Sequence, residues 1–242
     1  MRYPRYPSTR SSYSGYFPTG VKWLLISNTA IFLVSSLTPL ERPINVLFGL
    51  TAEGAVHNFL VWQVFTYMFL HGGPWHLIFN MFALWMFGMQ LEHEWGTHGF
   101  LKYYFLCGIA AGVCVLAVNV IMGDWGTLTI GASGAILGVL VAFGVLYPNQ
   151  TVLMNFLFPI KAKYMVMIYA AVELYTIFRP ERGVSTIAHL GGMAFGYLYL
   201  KTRRPMFTLP DVRSAYRQWR LQRAKKKFQV YLRKHGKGPW VN

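Results

Sequence analysis

Two side chains within apolar segments have the chemistry of a nucleophile and a base. Ser133 lies in a Gly-Ala-Ser-Gly run, and His189 lies between an alanine and a Leu-Gly-Gly run. A serine hydroxyl is a weak nucleophile until a base removes its proton, and a histidine ring suits that role. If the fold brings the two residues together, they predict acyl transfer through a covalent serine intermediate.

A second polar pair, His76 and Asn80, supplies hydrogen-bond donors. The two residues are four positions apart, so they share one face of a helix. Acyl transfer requires donors for the negatively charged oxygen of its tetrahedral intermediate. We expect His76, Asn80 and the backbone N–H of Ser133 to form this oxyanion hole. His71, just before the second helix, is either a further active-site group or an interfacial residue that supports the fold, and we favour the second interpretation.

The elements that must position these groups are membrane helices. Apolar residues make up 54% of the 242 residues and charged residues only 13%, against roughly a quarter in soluble domains. Several stretches approach the ~20 apolar residues that a spanning helix needs. The sequence therefore predicts an all-α membrane protein with six transmembrane helices, at about 21–37, 75–91, 100–122, 132–147, 164–178 and 186–200.

Two connections are too mixed in character to be spans. The segment 38–73 carries charged residues among apolar ones, which predicts a loop lying in the membrane interface. The segment 148–163 contains two prolines and two lysines, which predicts a connection with an apolar interfacial part.

Basic residues predict the orientation and the domain organisation. An orientation with both termini inside places 20 of the 23 Lys and Arg on the cytoplasmic side. Thirteen of them lie between Lys201 and Lys237. We expect a disordered cytoplasmic tail (1–20), a six-helix membrane domain (21–201) and a basic amphipathic cytoplasmic tail (202–242). The last would bind the anionic inner leaflet, and no nucleic-acid partner is expected.

This topology predicts that the reactive groups meet. The second, fourth and sixth helices all run from outside to inside, and His76, Ser133 and His189 each fall near the start of one of them. At ~1.5 Å per residue these groups lie within the outer third of the membrane. Small residues spaced four apart let helices approach closely. The fourth helix (Gly134, Gly138) and the sixth (Gly192, Gly196) therefore have the pattern for close backbone packing.

Other chemistries fit less well. No His-Glu-x-x-His run is present, and Cys107 and Cys114 lack further ligands nearby, so neither a metal nor another cofactor is expected. A proton-coupled transporter would need acidic residues along a path, whereas Glu173 is the one acidic residue well inside a predicted span. We do not place Glu173 beside His189, so the expectation is a Ser–His dyad.

At these residues the sequence resembles the rhomboid family of intramembrane serine proteases. The run from His71 to Asn80, His-Gly-Gly-Pro-Trp-His-Leu-Ile-Phe-Asn, is similar to the family's second-helix pattern. The run Gly131-Ala132-Ser133-Gly134 resembles its nucleophile motif, and Ala188-His189 with Gly192 and Gly196 resembles its sixth-helix motif. Glu92 and Gly96 resemble the end of its second helix. The resemblance covers about residues 21–201.

The resemblance implies a six-helix rhomboid-like bundle with Ser133 as nucleophile, His189 as general base, and His76, Asn80 and the Ser133 N–H as the oxyanion hole. It also implies that the substrates are single-span membrane proteins cut near the outer interface. A bacterial-type inner membrane suits the compact form. The alternative is a catalytically inactive rhomboid-like protein that binds membrane clients.

Two positions depart from the family pattern. Gln63 follows Trp62 where the family has arginine, which bears on how the first loop is anchored. Leu137 stands where many members have an aromatic residue against the catalytic histidine, so other apolar contacts must hold that ring. Neither departure removes a reacting group.

Overall fold

The computed structural model describes residues 17–154, 158–176 and 183–203. The chain divides into two units, Met1–Lys201 and Thr202–Asn242. Nearly all of the second unit lies outside the described residues, as does most of the 1–20 segment. The predicted disordered N-terminal tail and the predicted membrane-bound basic tail therefore stay predictions.

Helices occur at every predicted span. The elements in chain order are α1 (Thr19–Leu37), α2 (Glu41–Phe48), α3 (Gln63–Thr66), α4 (Pro74–Ala83), α5 (Met89–Met122), α6 (Ser133–Leu146), β1 (Thr151–Met154), β2 (Phe158–Lys161), α7 (Ala162–Thr176) and α8 (Gly183–Arg203). In the described part, the stretches Thr19–Leu37 and Pro74–Met122 are long and apolar enough to cross a membrane. The count of six spans and the orientation stay predictions.

The second and third predicted spans form one helical run with two irregularities. A π-helical turn at Leu84–Gly88 joins α4 to α5. Within α5, Gly96 has φ +71° and ψ 163°, which interrupts the helix. A left-handed φ favours glycine because a Cβ atom would be strained there. Gly96 therefore marks the boundary that the sequence predicts between residues 91 and 100.

A buried carboxylate fixes the start of α1. Glu92 accepts hydrogen bonds from the backbone N–H groups of Gly20 and Val21, both at 2.7 Å, and from the hydroxyl of Thr97 at 2.6 Å. The first N–H groups of a helix have no partner within the helix, so an acceptor there is stabilising. Glu92 thus attaches the start of α1 to α5.

The long first loop is a folded element whose backbone reaches the segment ahead of α6. Leu50 and Thr129 exchange two backbone hydrogen bonds of 3.0 and 2.8 Å. The N–H of Glu53 donates to the carbonyl of Trp125 at 2.9 Å. These bonds hold residues 125–131 in place, and α6 begins immediately after them.

Gln63 anchors this loop in place of the family's arginine. Its side chain is fully buried. The amide Nε2 donates to the carbonyl of Val46 at 2.9 Å, and Oε1 accepts from the N–H of Thr51 at 3.3 Å. One uncharged side chain therefore joins two turns of the loop, so this departure leaves the loop anchored.

Helix α6 lies at the centre of the bundle. Every residue from Gly134 to Gly144 is buried, and a helix that is apolar all round is expected in such a position. The hydroxyl of Tyr103 in α5 donates to the carbonyl of Gly138 at 2.8 Å. Because the other helices surround α6, residues at its first turn face the interior of the bundle.

The connection 148–163 is partly a β-hairpin, which the sequence analysis did not predict. Strands β1 and β2 pair antiparallel, with Thr151 opposite Lys161 and Val152 opposite Ile160. The prolines and lysines of this segment predict only a connection with an apolar interfacial part. Proline is tolerated in an edge strand, and a two-stranded hairpin has only edge strands, so Pro159 is compatible with β2.

Candidate active site

The nucleophile candidate Ser133 is the first residue of α6, and the backbone turn that precedes it requires a glycine at position 131. Gly131 has φ +127°, a conformation that side chains with a Cβ rarely adopt. A Cβ atom at Gly131 would also lie 2.8 Å from ring atoms of His76. The Gly131 N–H donates to the carbonyl of Tyr67 at 2.9 Å. The loop thus sets the turn from which Ser133 enters the helix.

The close packing of the fourth and sixth predicted helices is confirmed. At Gly192 of α8 a Cβ atom would overlap the backbone of Gly134 in α6, and at Gly196 it would lie 3.2 Å from the Cα of Gly138. Backbones in contact at two successive turns hold α8 at a defined depth against α6. This packing determines where His189 stands relative to Ser133.

His189 and Ser133 are in hydrogen-bonding contact. The ring nitrogen Nε2 of His189 lies 2.7 Å from the hydroxyl oxygen of Ser133. The two residues are 56 positions apart in the chain. This is the distance at which a general base can take the proton of a nucleophile.

The expectation that no carboxylate lies beside His189 is wrong. Oε1 of Glu173 lies 2.8 Å from Nδ1 of His189, so the observed arrangement is Ser133–His189–Glu173 rather than an isolated pair. The sequence predicts a helix that ends near residue 178, with Glu173 toward its middle. In the described residues Glu173 lies three positions before Thr176 in α7 and His189 lies six positions after Gly183 in α8, and the two helices bring these side chains into contact.

A second polar contact fixes the same alignment of α7 and α8. The hydroxyl oxygens of Thr176 and Thr186 are 3.0 Å apart. Each threonine is three residues from Glu173 or His189, later in α7 and earlier in α8. Moving three residues forward in α7, from Glu173 to Thr176, corresponds to moving three residues back in α8, from His189 to Thr186. The two helices therefore run antiparallel at these contacts.

The predicted oxyanion residues lie on α4. His76 lines a cavity of about 160 Å³ together with Ser133 and His189. Asn80 is buried one turn further along, and its amide Nδ2 has no hydrogen-bond partner among the described residues. A buried donor without a partner is uncommon and calls for an explanation. His71 is buried with its ring 5.0 Å from that of His76.

Residues that the sequence analysis did not single out complete the cavity wall. They are Tyr67, Thr129, Ile130, Gly131 and Ala188. Tyr67 and Thr129 belong to segments joined by backbone bonds across the loop, and no local pattern marks them. Leu137, the second departure from the family pattern, is a buried core residue.

The structure brings no metal-binding cluster together in the described ranges. No group of three or more His, Cys, Asp or Glu side chains is placed to hold an ion there. Cys107 is buried and Cys114 is partly buried, and both are free thiols.

Comparison with known proteins identifies a family. Residues 58–205 match the family model of the Rhomboid domain. Rhomboid-like protease 3 of Toxoplasma gondii is 29% identical over 181 residues, which is 73% of this chain and 66% of that protein. RHOMBOID-like protein 1 of Arabidopsis thaliana is 28% identical over 198 residues, 81% of this chain and 48% of that protein.

A third relative is Rhomboid protein 1, mitochondrial, of Saccharomyces cerevisiae, 36% identical over 138 residues that make up 54% of this chain and 38% of that protein. The chain thus spans between 38% and 66% of the length of these three relatives. Mitochondrial and plant relatives give no support to the expected bacterial-type inner membrane. The family model covers more than half of the chain and includes all the residues of the site, so this chain belongs to the rhomboid family of integral membrane proteins.

Proposed function

We propose that this chain is an intramembrane serine endopeptidase that cleaves single-span membrane proteins near the outer membrane interface. The observation that carries this proposal is the 2.7 Å contact between Ser133 Oγ and His189 Nε2 at the wall of a cavity. The Toxoplasma relative is named a protease, which favours the same activity here.

The proposed reaction begins with proton transfer. His189 Nε2 takes the proton of Ser133 while Oγ attacks the carbonyl carbon of the substrate peptide bond. The carbonyl oxygen becomes negatively charged and accepts hydrogen bonds from His76, Asn80 and the Ser133 N–H. The first N–H groups of a helix lack intrahelical partners, so the Ser133 N–H is suited to this task.

The intermediate then collapses to an acyl-enzyme. The bond from the carbonyl carbon to the amide nitrogen breaks, and His189 gives its proton to the departing amine. A water molecule attacks the ester by the same route and releases Ser133. The water must reach the site, and the cavity beside Ser133 gives it room.

The length of α6 supports a site below the membrane surface. Its 14 residues extend about 21 Å at ~1.5 Å per residue. The hydrocarbon core is ~30 Å thick, so a helix of this length does not reach both surfaces. A helix of this length is compatible with the proposed position of Ser133 within the bilayer.

A substrate helix must unwind before it is cut. A helical peptide bond is shielded because its carbonyl and N–H groups are hydrogen-bonded along the helix. We therefore expect cleavage where the substrate span contains glycine, proline or small residues. Replacing those residues with leucine should slow cleavage without changing the enzyme.

Reconstitution tests the proposal. Wild-type protein in liposomes with a model single-span substrate should release two fragments, and Ser133→Ala should release none. Ser27→Ala, which removes a hydroxyl in α1 that bonds Leu24 at 3.2 Å, is the matched control and should cleave normally. A fluorophosphonate should attach to Ser133 of the wild-type protein, and the Ser133→Ala variant should not be labelled.

The alternative is an inactive rhomboid-like protein that binds membrane clients. It is favoured if wild-type protein neither cleaves several substrates nor reacts with the fluorophosphonate, while retaining a bound substrate. Cleavage that persists in Ser133→Ala would refute the assignment of the nucleophile.

A further inference from the structure

Glu173 occupies the side of His189 opposite to Ser133. The carboxylate Oε1 is 2.8 Å from Nδ1, and Ser133 Oγ is 2.7 Å from Nε2, so both ring nitrogens are engaged. The side chains of His189 and Glu173 are only 22% and 15% exposed. An ionisable group within an apolar helix is costly, so a functional role together with a specific partner is expected for Glu173.

We infer that Glu173 is a positioning residue that holds His189 in the tautomer and orientation needed to activate Ser133. This inference rests on the proposed function, because it assigns how that same site works. The carboxylate of Glu173 accepts a hydrogen bond from the Nδ1–H group of His189. The lone pair of Nε2 then faces Ser133.

The tautomer decides whether the base can act. A neutral imidazole carries one proton, and only the nitrogen without it can accept another. An ionised carboxylate has acceptors alone, so its contact with Nδ1 requires the Nδ1–H form. A protonated Glu173 would instead donate to Nδ1, and the ring proton would then lie on Nε2, where it blocks the transfer. The inference therefore requires Glu173 to be ionised.

The carboxylate also acts once the proton has moved. When His189 takes the proton of Ser133 it becomes a cation in surroundings of low dielectric constant. A negative charge 2.8 Å away stabilises that cation more strongly there than it would in water. Glu173 would thus favour the tetrahedral intermediate as well as orienting the ring.

The alternative is that Glu173 only joins α7 to α8. In the C-terminal half of α7, the side chains of Val172, Leu174 and Tyr175 are exposed. Polar contacts therefore contribute to the packing of this half against α8. The pair Thr176–Thr186 makes a comparable contact between the same helices one turn away. Thr176→Val therefore removes a tie between the same two helices and serves as the matched control.

The first test is a kinetic comparison in liposomes. Glu173→Gln has the same shape, but its amide can turn and donate to Nδ1, and it carries no charge. We expect kcat to fall by about 100-fold or more, the range for general base catalysis, with KM within about threefold of wild type. Thr176→Val should stay within about threefold in both constants. Glu173→Asp, which keeps the charge, should recover part of the loss.

The second test asks whether Glu173 acts through His189. The rate at which a fluorophosphonate labels Ser133 is measured in wild type, Glu173→Gln, His189→Ala and the double variant. We expect the double variant to react no more slowly than His189→Ala, because the positioning residue has nothing left to position. Multiplicative effects of the two substitutions would overturn the inference.

The outcomes separate this inference from the proposed function. Persistent cleavage by Ser133→Ala, or a wild type that neither cleaves nor reacts with the probe, would refute the proposed function and the inference with it. Loss of activity in Ser133→Ala together with a normal kcat in Glu173→Gln would overturn the inference alone. A KM increase with unchanged kcat in Glu173→Gln, shared by Thr176→Val, would assign both residues to helix packing and also overturn it.

Discussion

Gly192 of α8 lies against the backbone carbonyl of Gly134 in α6 with no room for a Cβ atom between them. This contact joins the helix that carries His189 to the helix that begins at Ser133. Backbone atoms cannot move aside as a flexible side chain can, so the separation of the two helices depends on the absence of a side chain at Gly192.

Gly192→Ala should therefore disable the site without touching its reactive groups. The methyl group forces α8 away from α6, and a misplacement of ~1 Å can lower a rate by ~100-fold. We expect kcat in liposomes to fall by about that factor. Gly126→Ala, where nothing lies within 4 Å of the added Cβ, is the control and should keep wild-type activity. Normal activity of Gly192→Ala would contradict the role of this contact.

Asn80 offers a test of the oxyanion hole. Its buried Nδ2 has no partner among the described residues, which suits a donor whose acceptor is formed only during the reaction. Removing one such donor typically lowers kcat by ~100- to 1,000-fold. Asn80→Ala should show a loss in this range, mainly in kcat, and should also slow fluorophosphonate labelling of Ser133.

The control for Asn80 is another buried asparagine. Asn28 in α1 donates to the carbonyl of Leu24 at 2.7 Å, on a helix whose side chains do not line the cavity. Asn28→Ala should weaken the fold while leaving the kcat of folded protein close to wild type. Equal effects of the two substitutions on kcat would remove Asn80 from the oxyanion hole.

Gln63 should contribute to stability rather than to chemistry. Gln63→Leu leaves the carbonyl of Val46 and the N–H of Thr51 without this partner. An unsatisfied buried polar group costs about 1–3 kcal/mol. We expect a lower free energy of unfolding in detergent by about that amount, measured by denaturant titration. Val61→Ala, an exposed apolar position nearby, should change it by less than about 0.5 kcal/mol.

His71 should make the stability depend on pH. Burial lowers the pKa of His71 from 6.5 to about 4, and the neighbouring His76 adds to the effect. Between these values the unfolded chain binds a proton that the folded protein does not. The free energy of unfolding should therefore fall as the pH falls from about 6.5 to about 4, by up to about 3 kcal/mol.

Thermal unfolding in detergent between pH 4 and 8 measures this effect. His71→Phe keeps a ring without a titrating group, so its midpoint should vary less with pH than that of wild type. His98→Gln, at an exposed position in α5, should keep the wild-type pH dependence. The same pH dependence in His71→Phe as in wild type would show that other groups are responsible.

Several features followed from local sequence. Apolar stretches of sufficient length determine helices wherever they occur, and the helices lie close to the predicted ranges. Glycines four apart predicted the contact between α6 and α8, since only small residues permit it. Ser133, His189 and His76 were identifiable because polar side chains in apolar helices require a reason. Each of these inferences depends on residue type and spacing along one segment.

Other features depend on how segments fit together, and only the tertiary structure decided them. Whether Glu173 meets His189 depends on the rotation and axial shift of α7 against α8, and a change of one residue would separate the 2.8 Å contact. The hairpin of β1 and β2 and the partners of Gln63 likewise arise from pairing between distant backbone groups. A hydrogen bond tolerates a change of only a few tenths of an ångström in its length, whereas sequence periodicity locates a helix only to within several residues. The reactive groups could therefore be read from the sequence, but the carboxylate behind the histidine could not.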